Sequence, residues 1–214
     1  MFAYLKIKHN SIMMFDPTYP TIDMIYFKEC DWKYFYKGVK EAIPDNAPES
    51  RGKDFDVRCF VDGDHIGDIV SRRSRTGFFI FINIASVIFN FKKQTTIETS
   101  IFGSEFVAIK TAMESVRGLR YKQHMMGVPL AGPTYMYGDN MFVIHNIHKP
   151  ESMLKKKSNS ICYHVVRETI AMGEMLAGYV RTPENVADIT TRVFHAGQKR
   201  NYLVSQVLYD IVNE

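Results

Sequence analysis

The chain has 214 residues, of which 46% are hydrophobic and 13% aromatic, and its formal net charge is +4. This composition can bury a full core, so it excludes a disordered chain and fits one domain of ordinary size plus an appendage. It also excludes a membrane span, because even the apolar run over residues 77–91 is interrupted by polar residues before it reaches the length that a bilayer requires.

Residues 1–53 form the first predicted region. A short helical or strand-like start over residues 2–8 precedes an apolar run over 12–15 and a long stretch rich in Pro, Asp and aromatic residues, without clear periodicity. Residues 44–53 combine turn formers with charges, which is typical of a linker. We therefore predict a connecting segment and linker over residues 1–53 and a main domain over residues 54–214.

The main domain begins with three predicted strands, over residues 57–61, 77–84 and 86–91, which favour an antiparallel meander. A helical stripe follows, because apolar residues recur at alternating spacings of four and three. Its members are Phe102, Phe106, Ile109, Met113 and Val116.

The second half of the domain alternates between helix and strand. A Gly/Pro-rich break over 127–133 precedes a strand over 134–137, helices over 140–147 and 160–172, and a fifth strand over 176–180. Thr182 is predicted to cap a further helix that has Pro183 at its first position and Asp188 one turn inside. A final amphipathic helix is predicted over 203–212. Together these elements predict an α/β fold, with a mixed five-stranded sheet flanked by helices.

Four acidic residues occupy comparable places in this pattern. Asp62 and Asp139 each follow an apolar run, Glu105 lies beside Phe106 at the edge of the helical stripe, and Asp188 lies at a predicted helix start. Carboxylates from separate elements can converge on one end of a sheet and bind two divalent cations, which is the arrangement that cleaves phosphodiester bonds. A lone Asp at a strand end is more often a turn or cap residue, and Asp188 could simply favour the helix dipole.

The basic residues occur in clumps, which either follow a phosphate backbone or form a solvated face. The clumps are Arg72, Arg73 and Arg75; Lys92 and Lys93; and Lys155, Lys156 and Lys157. The three cysteines have no paired spacing, which argues against a disulfide framework and for a reducing compartment. We therefore expect an intracellular protein, cytoplasmic or nuclear, with no membrane partner.

Several motifs resemble one known family, and they occur in that family's order. They are VDGDHIGD (61–68), TGFFIF (76–81), KKQTTIETS (92–100), SEFVAIK (104–110), YGDN (137–140), YHVVRE (163–168) and RTPENVADITTR (181–192). Over about residues 57–193 the chain resembles the ribonuclease H domain of copia-type retrotransposon polyproteins. AYLKIKHN and FDPTYP, near the N-terminus, resemble the segment that joins this domain to the family's reverse transcriptase.

The resemblance implies a ribonuclease H-like sheet of three antiparallel strands followed by parallel strands. It also implies that the catalytic and metal-binding residues are Asp62, Glu105, Asp139 and Asp188. Two Mg²⁺ ions are expected there, with Mn²⁺ as a substitute, and the expected reaction is endonucleolytic cleavage of the RNA strand of an RNA–DNA hybrid. Asp64 is interpreted as a supporting or turn residue and Asp68 as a loop residue.

The expected contacts to the nucleic-acid backbone are Arg72, Arg73, Arg75, Lys92, Lys93 and Asn140. The reverse transcriptase part of the same element is a further expected partner. Two other functions stay open. One is a nucleic-acid-binding remnant that has lost catalysis, and the other is an integrase-like or resolvase-like nuclease, since one fold hosts several chemistries.

Overall fold

The structure, a computed structural model, describes residues 10–28, 30–32, 34–68, 70–149, 157–192 and 194–210. A two-residue strand, β1 (Ser11–Ile12), precedes the main domain. The strands of the central sheet are β2 (Val57–Asp64), β3 (Arg75–Ile82), β4 (Ala85–Lys93), β5 (Thr134–Gly138) and β6 (Met175–Tyr179). Their order across the sheet is β4-β3-β2-β5-β6.

The directions of these strands match the predicted fold. β2, β3 and β4 form an antiparallel meander, and β5 and β6 continue the sheet in parallel with β2. The predicted mixed five-stranded sheet of the ribonuclease H-like type is therefore confirmed. β2 lies at its centre and carries the first of the predicted carboxylates.

Five α-helices accompany the sheet in the described part of the chain. They are α1 (Ile101–Met125), α2 (Met141–Ile147), α3 (Lys157–Ala171), α4 (Asp188–Thr191) and α5 (Gln198–Ser205). Ser100 caps α1 by accepting a hydrogen bond of 3.2 Å from the Gly103 amide. None of these helices is long and apolar enough to cross a membrane.

The two faces of the sheet pack against different elements, because successive side chains of a strand point to opposite faces. Cys59 and Val61 of β2 lie in the main core, which also includes the apolar stripe of α1 and residues of α2 and α3. Phe60 lies on the other face, in a smaller cluster with Phe79 of β3 and Val186, just before α4. β2 is therefore covered on both faces.

The strand ends differ from the prediction in a way that affects the site. Asp62 was expected to follow the first strand, but β2 continues to Asp64 and pairs with β3 along its whole length. The ladder with β3 extends the strand past its apolar run. As a result Asp62 is a strand residue with a fully buried side chain rather than a loop residue.

The predicted helix with Thr182 as its cap is wrong. Arg181 occupies the cap position of a short 3₁₀ helix (Thr182–Glu184), and α4 is a separate turn that begins at Asp188 itself. The break comes from Asn185, whose side chain donates a hydrogen bond of 3.0 Å to the Val61 carbonyl and accepts one from the Ala187 amide. This side chain anchors the turn before α4 to the central strand.

The final helix also lies elsewhere than predicted. α5 ends at Ser205, and a two-residue strand, β7 (Tyr209–Asp210), pairs antiparallel with β1 near the start of the chain. Pairing with so distant a segment cannot be recognised from local periodicity. The remainder of the predicted helix and the predicted start over residues 2–8 lie outside the described residues.

The described part of the connecting segment packs on the main domain. Phe27 forms a β-bridge with Gly178 of β6, and the single tryptophan, Trp32, is buried in the main core. Glu41 forms two hydrogen bonds of 2.7 Å with the buried Arg120 of α1. The division of the chain near residue 54 stays a prediction, and this segment contributes directly to the core of the domain.

Candidate metal centre

The candidate site lies at one end of the central sheet, where three carboxylates converge. One oxygen each from Asp62, Glu105 and Asp139 lies within 4.8 Å of the others. Asp62 lies in β2, Glu105 lies in the second turn of α1, and Asp139 is the residue directly after β5. The structure thus brings together three of the four predicted ligands from three separate elements.

Gly63 explains how α1 approaches the sheet so closely. A Cβ atom at this position would lie 3.0 Å from both the Cα and the Oε2 atoms of Glu105. Because glycine has no Cβ, the backbone of α1 can lie directly against β2 and place Glu105 beside Asp62.

Burial disfavours the ionised form of these three carboxyl groups. Desolvation, aided by the charges of Asp62 and Asp139, raises the pKa of Glu105 to about 9. Desolvation also raises the pKa of Asp62 to about 6, against a hydrogen bond from Thr191 that lowers it. The pKa of Asp139 is raised as well, again mainly by burial. The positive charge of Arg192 lowers the pKa of each of the three groups, but it does not offset their burial.

An orphaned oxygen supports a cation at this place. Asp62 Oδ1 is buried and has no hydrogen-bond partner among the described residues, whereas Asp62 Oδ2 accepts a hydrogen bond from the Thr191 hydroxyl. A buried carboxylate oxygen without a partner is costly unless it binds an ion or water. Hard divalent cations prefer such oxygen ligands, so the three carboxylates fit a Mg²⁺ or Mn²⁺ ion.

Asp188, the fourth predicted ligand, is fully buried but engaged in ion pairs. Its Oδ2 atom lies 2.5 Å from Lys199 Nζ of α5, and its Oδ1 atom lies 3.1 Å from Arg192 Nε. It is close enough to Asp62 and Asp139 to raise the pKa of both through its charge. Asp188 is therefore a neighbour of the carboxylate cluster and not a member of it in this structure.

Arg192 lies near all of these acidic groups. Although burial alone lowers the pKa of its guanidinium, the charges of Asp188, Asp62, Asp139 and Asp64 raise it above the usual value. Asp64 itself is the last residue of β2 and is half-buried, and its pKa is raised mainly by burial. Its role as a supporting or turn residue stays a prediction.

Most of the predicted nucleic-acid contacts lie at this end of the sheet. The strand register pairs Arg75 with Asp64 on one side and with Lys93 on the other, and pairs Lys92 with Thr76. Arg75 also lies 5.6 Å from the ring centre of Phe91. These basic residues of β3 and β4 therefore lie at the same end of the sheet as the carboxylates.

The other predicted contacts are placed in loops and caps. Arg72 and Arg73 lie between β2 and β3, and Asn140 caps α2 by accepting a hydrogen bond of 3.2 Å from the Val143 amide. Lys93 is ion-paired with Asp68, which also accepts a hydrogen bond from Ser71. Lys155 and Lys156, and the side chain of Lys157, lie outside the described residues.

Sequence reasoning missed four residues around the site: Asn185, Thr191, Arg192 and Lys199. Thr191 and Arg192 lie within the motif RTPENVADITTR, so the motif indicated their neighbourhood but not their contacts. Lys199 lies outside every motif, and no local signal links it to Asp188.

Comparisons with known proteins agree with the resemblance that the motifs predicted. No family model matches the chain. It is 20% identical over 142 residues to the retrovirus-related Pol polyprotein from transposon RE2 of Arabidopsis thaliana, which covers 66% of this chain and 10% of the polyprotein. It is 21% identical over 142 residues to the polyprotein from transposon RE1 of the same plant. The predicted similarity to retrotransposon polyproteins is confirmed, and the chain spans about a tenth of the length of these relatives.

The chain is also similar to solved ribonuclease H structures. One is the N-terminal ribonuclease H domain of a Mycobacterium tuberculosis protein, fused to maltose-binding protein, with a TM-score of 0.49 and 10% identity over 72% of this chain and 96% of that one. Another is a ribonuclease H1 isolated from compost, with a TM-score of 0.48 and 12% identity over 63% of this chain and 91% of that one. The strand order described above, rather than these values, defines the fold.

Proposed function

We propose that the chain is a divalent-cation-dependent endonuclease that cleaves the RNA strand of RNA–DNA hybrids. The observation that carries this proposal is the convergence of Asp62, Glu105 and Asp139 within 4.8 Å on a ribonuclease H-like sheet. The similarity to retrotransposon Pol polyproteins supports it. The reverse transcriptase part of the same element is a further proposed partner.

The chain's own residues have distinct parts in the proposed reaction. Asp62, Glu105 and Asp139 would hold one cation, and Asp188 would contribute to a second. When bound, the two cations supply an activated water and stabilise the leaving 3′ oxygen. The protein fixes the ligands, since Thr191 orients Asp62 and Gly63 lets Glu105 approach it. The expected products are a 5′ phosphate and a 3′ hydroxyl.

The choice of substrate would depend on the shape of the duplex. A hybrid presents the 2′ hydroxyls of its RNA strand in a wide and shallow minor groove, which lets a protein distinguish RNA from DNA. The basic residues of β3 and β4 would contact phosphates at the same end of the sheet, so cleavage should tolerate most sequences. We also propose an intracellular location, because the three cysteines have no paired spacing in the sequence.

The test is cleavage of a hybrid that carries a label on its RNA strand, in the presence and absence of Mg²⁺. Wild-type protein should cut only the RNA strand and only with the cation. Asp62→Asn and Glu105→Gln should lose activity by about a hundredfold or more, since even outer-shell changes at metal sites cost 10-fold to 100-fold. Glu114→Gln is the matched control, because Glu114 is exposed on the same helix and pairs only with Lys110 among the described residues.

The same assay separates the alternatives. Hybrid binding without cleavage by wild type would contradict the proposal and support a non-catalytic binding protein. Strand transfer into duplex DNA would support an integrase-like enzyme. Equal cleavage by wild type and Glu105→Gln would show that the carboxylate cluster is not the catalytic site.

A further inference from the structure

The ion pair between Lys199 and Asp188 separates the fourth carboxylate from the other three. Lys199 Nζ donates a hydrogen bond of 2.5 Å to Asp188 Oδ2, and Arg192 Nε lies 3.1 Å from Asp188 Oδ1, an oxygen that has no hydrogen-bond partner among the described residues. In the part of the chain that the structure describes, no ion pair within 4.0 Å is seen for Asp62, Glu105 or Asp139. One set of carboxylates is therefore free for a cation, while the neighbouring carboxylate is already neutralised.

Lys199 reaches the site from an element that carries no predicted ligand. It is the second residue of α5, and its ammonium group also lies 4.7 Å from the ring centre of Phe194. Its side chain is 35% exposed, whereas the Asp188 side chain is fully buried. The lysine side chain is therefore in contact with solvent, and the Asp188 side chain is not.

A lysine ammonium and a divalent cation compete for the same carboxylate oxygen. The ammonium occupies Asp188 Oδ2 at hydrogen-bond distance and repels any second positive charge close to it. A divalent cation bound to Asp188 must therefore displace Lys199. An additional anion, such as a phosphate of the nucleic acid, would give the displaced ammonium an alternative partner.

We propose that Lys199 controls the second cation position. In the free protein one divalent cation binds through Asp62, Glu105 and Asp139, and a second binds strongly only after Lys199 has left Asp188. This inference rests on the proposed function, because it assumes that the carboxylate cluster is a cation site. It adds that loading of the second cation is coupled to the phosphates of the substrate.

The test is titration of the full chain with Mn²⁺ in the absence of nucleic acid. Isothermal calorimetry and the electron paramagnetic resonance signal of free Mn²⁺ monitor the binding. Wild type should show one stronger site and a second that is much weaker. Lys199→Met should bind the second ion at least about tenfold more tightly, because a repelling charge has been removed. Lys199→Gln is a second variant in case Met disturbs the packing of α5.

Lys122→Met is the matched control. Lys122 is an exposed lysine in the last turn of α1, so this variant removes the same charge at the end of the helix opposite to Glu105. It should leave both Mn²⁺ affinities unchanged. An unchanged second affinity in both Lys199 variants, with the first site intact, would overturn the inference alone. Absence of Mn²⁺ binding by wild type and variants would overturn the proposed function together with it.

Discussion

Asp62 and Thr191 lie 129 residues apart in the chain and are joined by a buried hydrogen bond, which the Thr191 hydroxyl donates to Asp62 Oδ2. This bond connects the central strand to α4, the turn that begins with Asp188. Asp62 Oδ1 has no hydrogen-bond partner among the described residues, and one oxygen of Asp62 lies within 4.8 Å of a carboxylate oxygen of Glu105 and of Asp139. One oxygen of Asp62 is thus held by the Thr191 hydroxyl, and the other is left for a further ligand.

Replacement of Thr191 tests the importance of this bond. Thr191→Val should weaken Mn²⁺ binding by about 10-fold, because loss of an outer-shell hydrogen bond at a metal site typically costs 10-fold to 100-fold. Thr191→Ser keeps the hydroxyl and should bind nearly as wild type does. Calorimetric titration of the three proteins checks this, and equal affinities for Val and Ser would show that the bond does not support the site.

A methyl group on β3 should displace α4. In Gly77→Ala the new Cβ would lie 1.9 Å from Thr190 Oγ1 and 2.7 Å from Thr191 Cγ2, so the strand or the turn must move. We expect a loss of about 1–3 kcal/mol in the free energy of unfolding, together with reduced cleavage of hybrids. Urea denaturation and the cleavage assay measure the two effects.

The matched control for this change is Gly118→Ala in α1, where a Cβ would meet no atom within 4 Å. Alanine has the higher helix propensity, so this variant should be as stable as wild type or more stable, by up to about 1 kcal/mol. If Gly77→Ala proved equally harmless, the close packing of α4 on β3 would be disproved.

The pair of Glu41 and Arg120 should contribute strongly to stability. Although burial raises the pKa of Glu41, its bonds to Arg120 and His124 lower it below the usual value. Glu41→Gln would leave the charge of the buried Arg120 uncompensated, at a cost of about 3 kcal/mol. The double variant Glu41→Leu with Arg120→Met removes both charges and should be less harmful than the sum of the single changes. Additive losses in urea denaturation would contradict this coupling.

Metal-free protein should lose stability as the pH rises. The pKa of Asp62 is raised to about 6 and that of Glu105 to about 9, while both are near 4 in an unfolded chain. The folded state therefore binds more protons than the unfolded state, and ionisation between about pH 4 and pH 9 destabilises it. The melting temperature in EDTA should fall across this range, and Mg²⁺ should restore it most at the alkaline end.

The control for the pH experiment is Glu105→Gln, which removes the group with the more strongly raised pKa. Its melting temperature in EDTA should vary less with pH above about 6 and should respond little to Mg²⁺. A wild-type melting temperature that rises from pH 6 to pH 9 in EDTA would contradict the proposed electrostatics of the site.

The sequence predicted the elements with strong local signals. The alternating spacing of Phe102, Phe106 and Ile109 correctly predicted α1, and the apolar strands with their short breaks predicted the sheet. Glu105 and Asp139 lie where the pattern placed them, at the apolar stripe of α1 and directly after β5. Their convergence follows from the sheet topology, which those elements determine.

The errors have a common physical cause, because each depends on contacts between distant segments. Asn185 ends the 3₁₀ helix by bonding to Val61, β7 forms only by pairing with β1, and Lys199 meets Asp188 through the packing of α5. The connecting segment has no periodicity, yet it places Trp32 in the main core. Local patterns contain no information on such partners.

The central claim is that Asp62, Glu105 and Asp139 bind a divalent cation together, and a crystal of the protein grown with Mn²⁺ tests it most directly. An anomalous difference map should contain a peak within coordination distance of one oxygen from each of the three carboxylates, and Glu105→Gln crystals should lose or weaken it. A map from well-ordered wild-type crystals with no peak at this cluster would contradict the account.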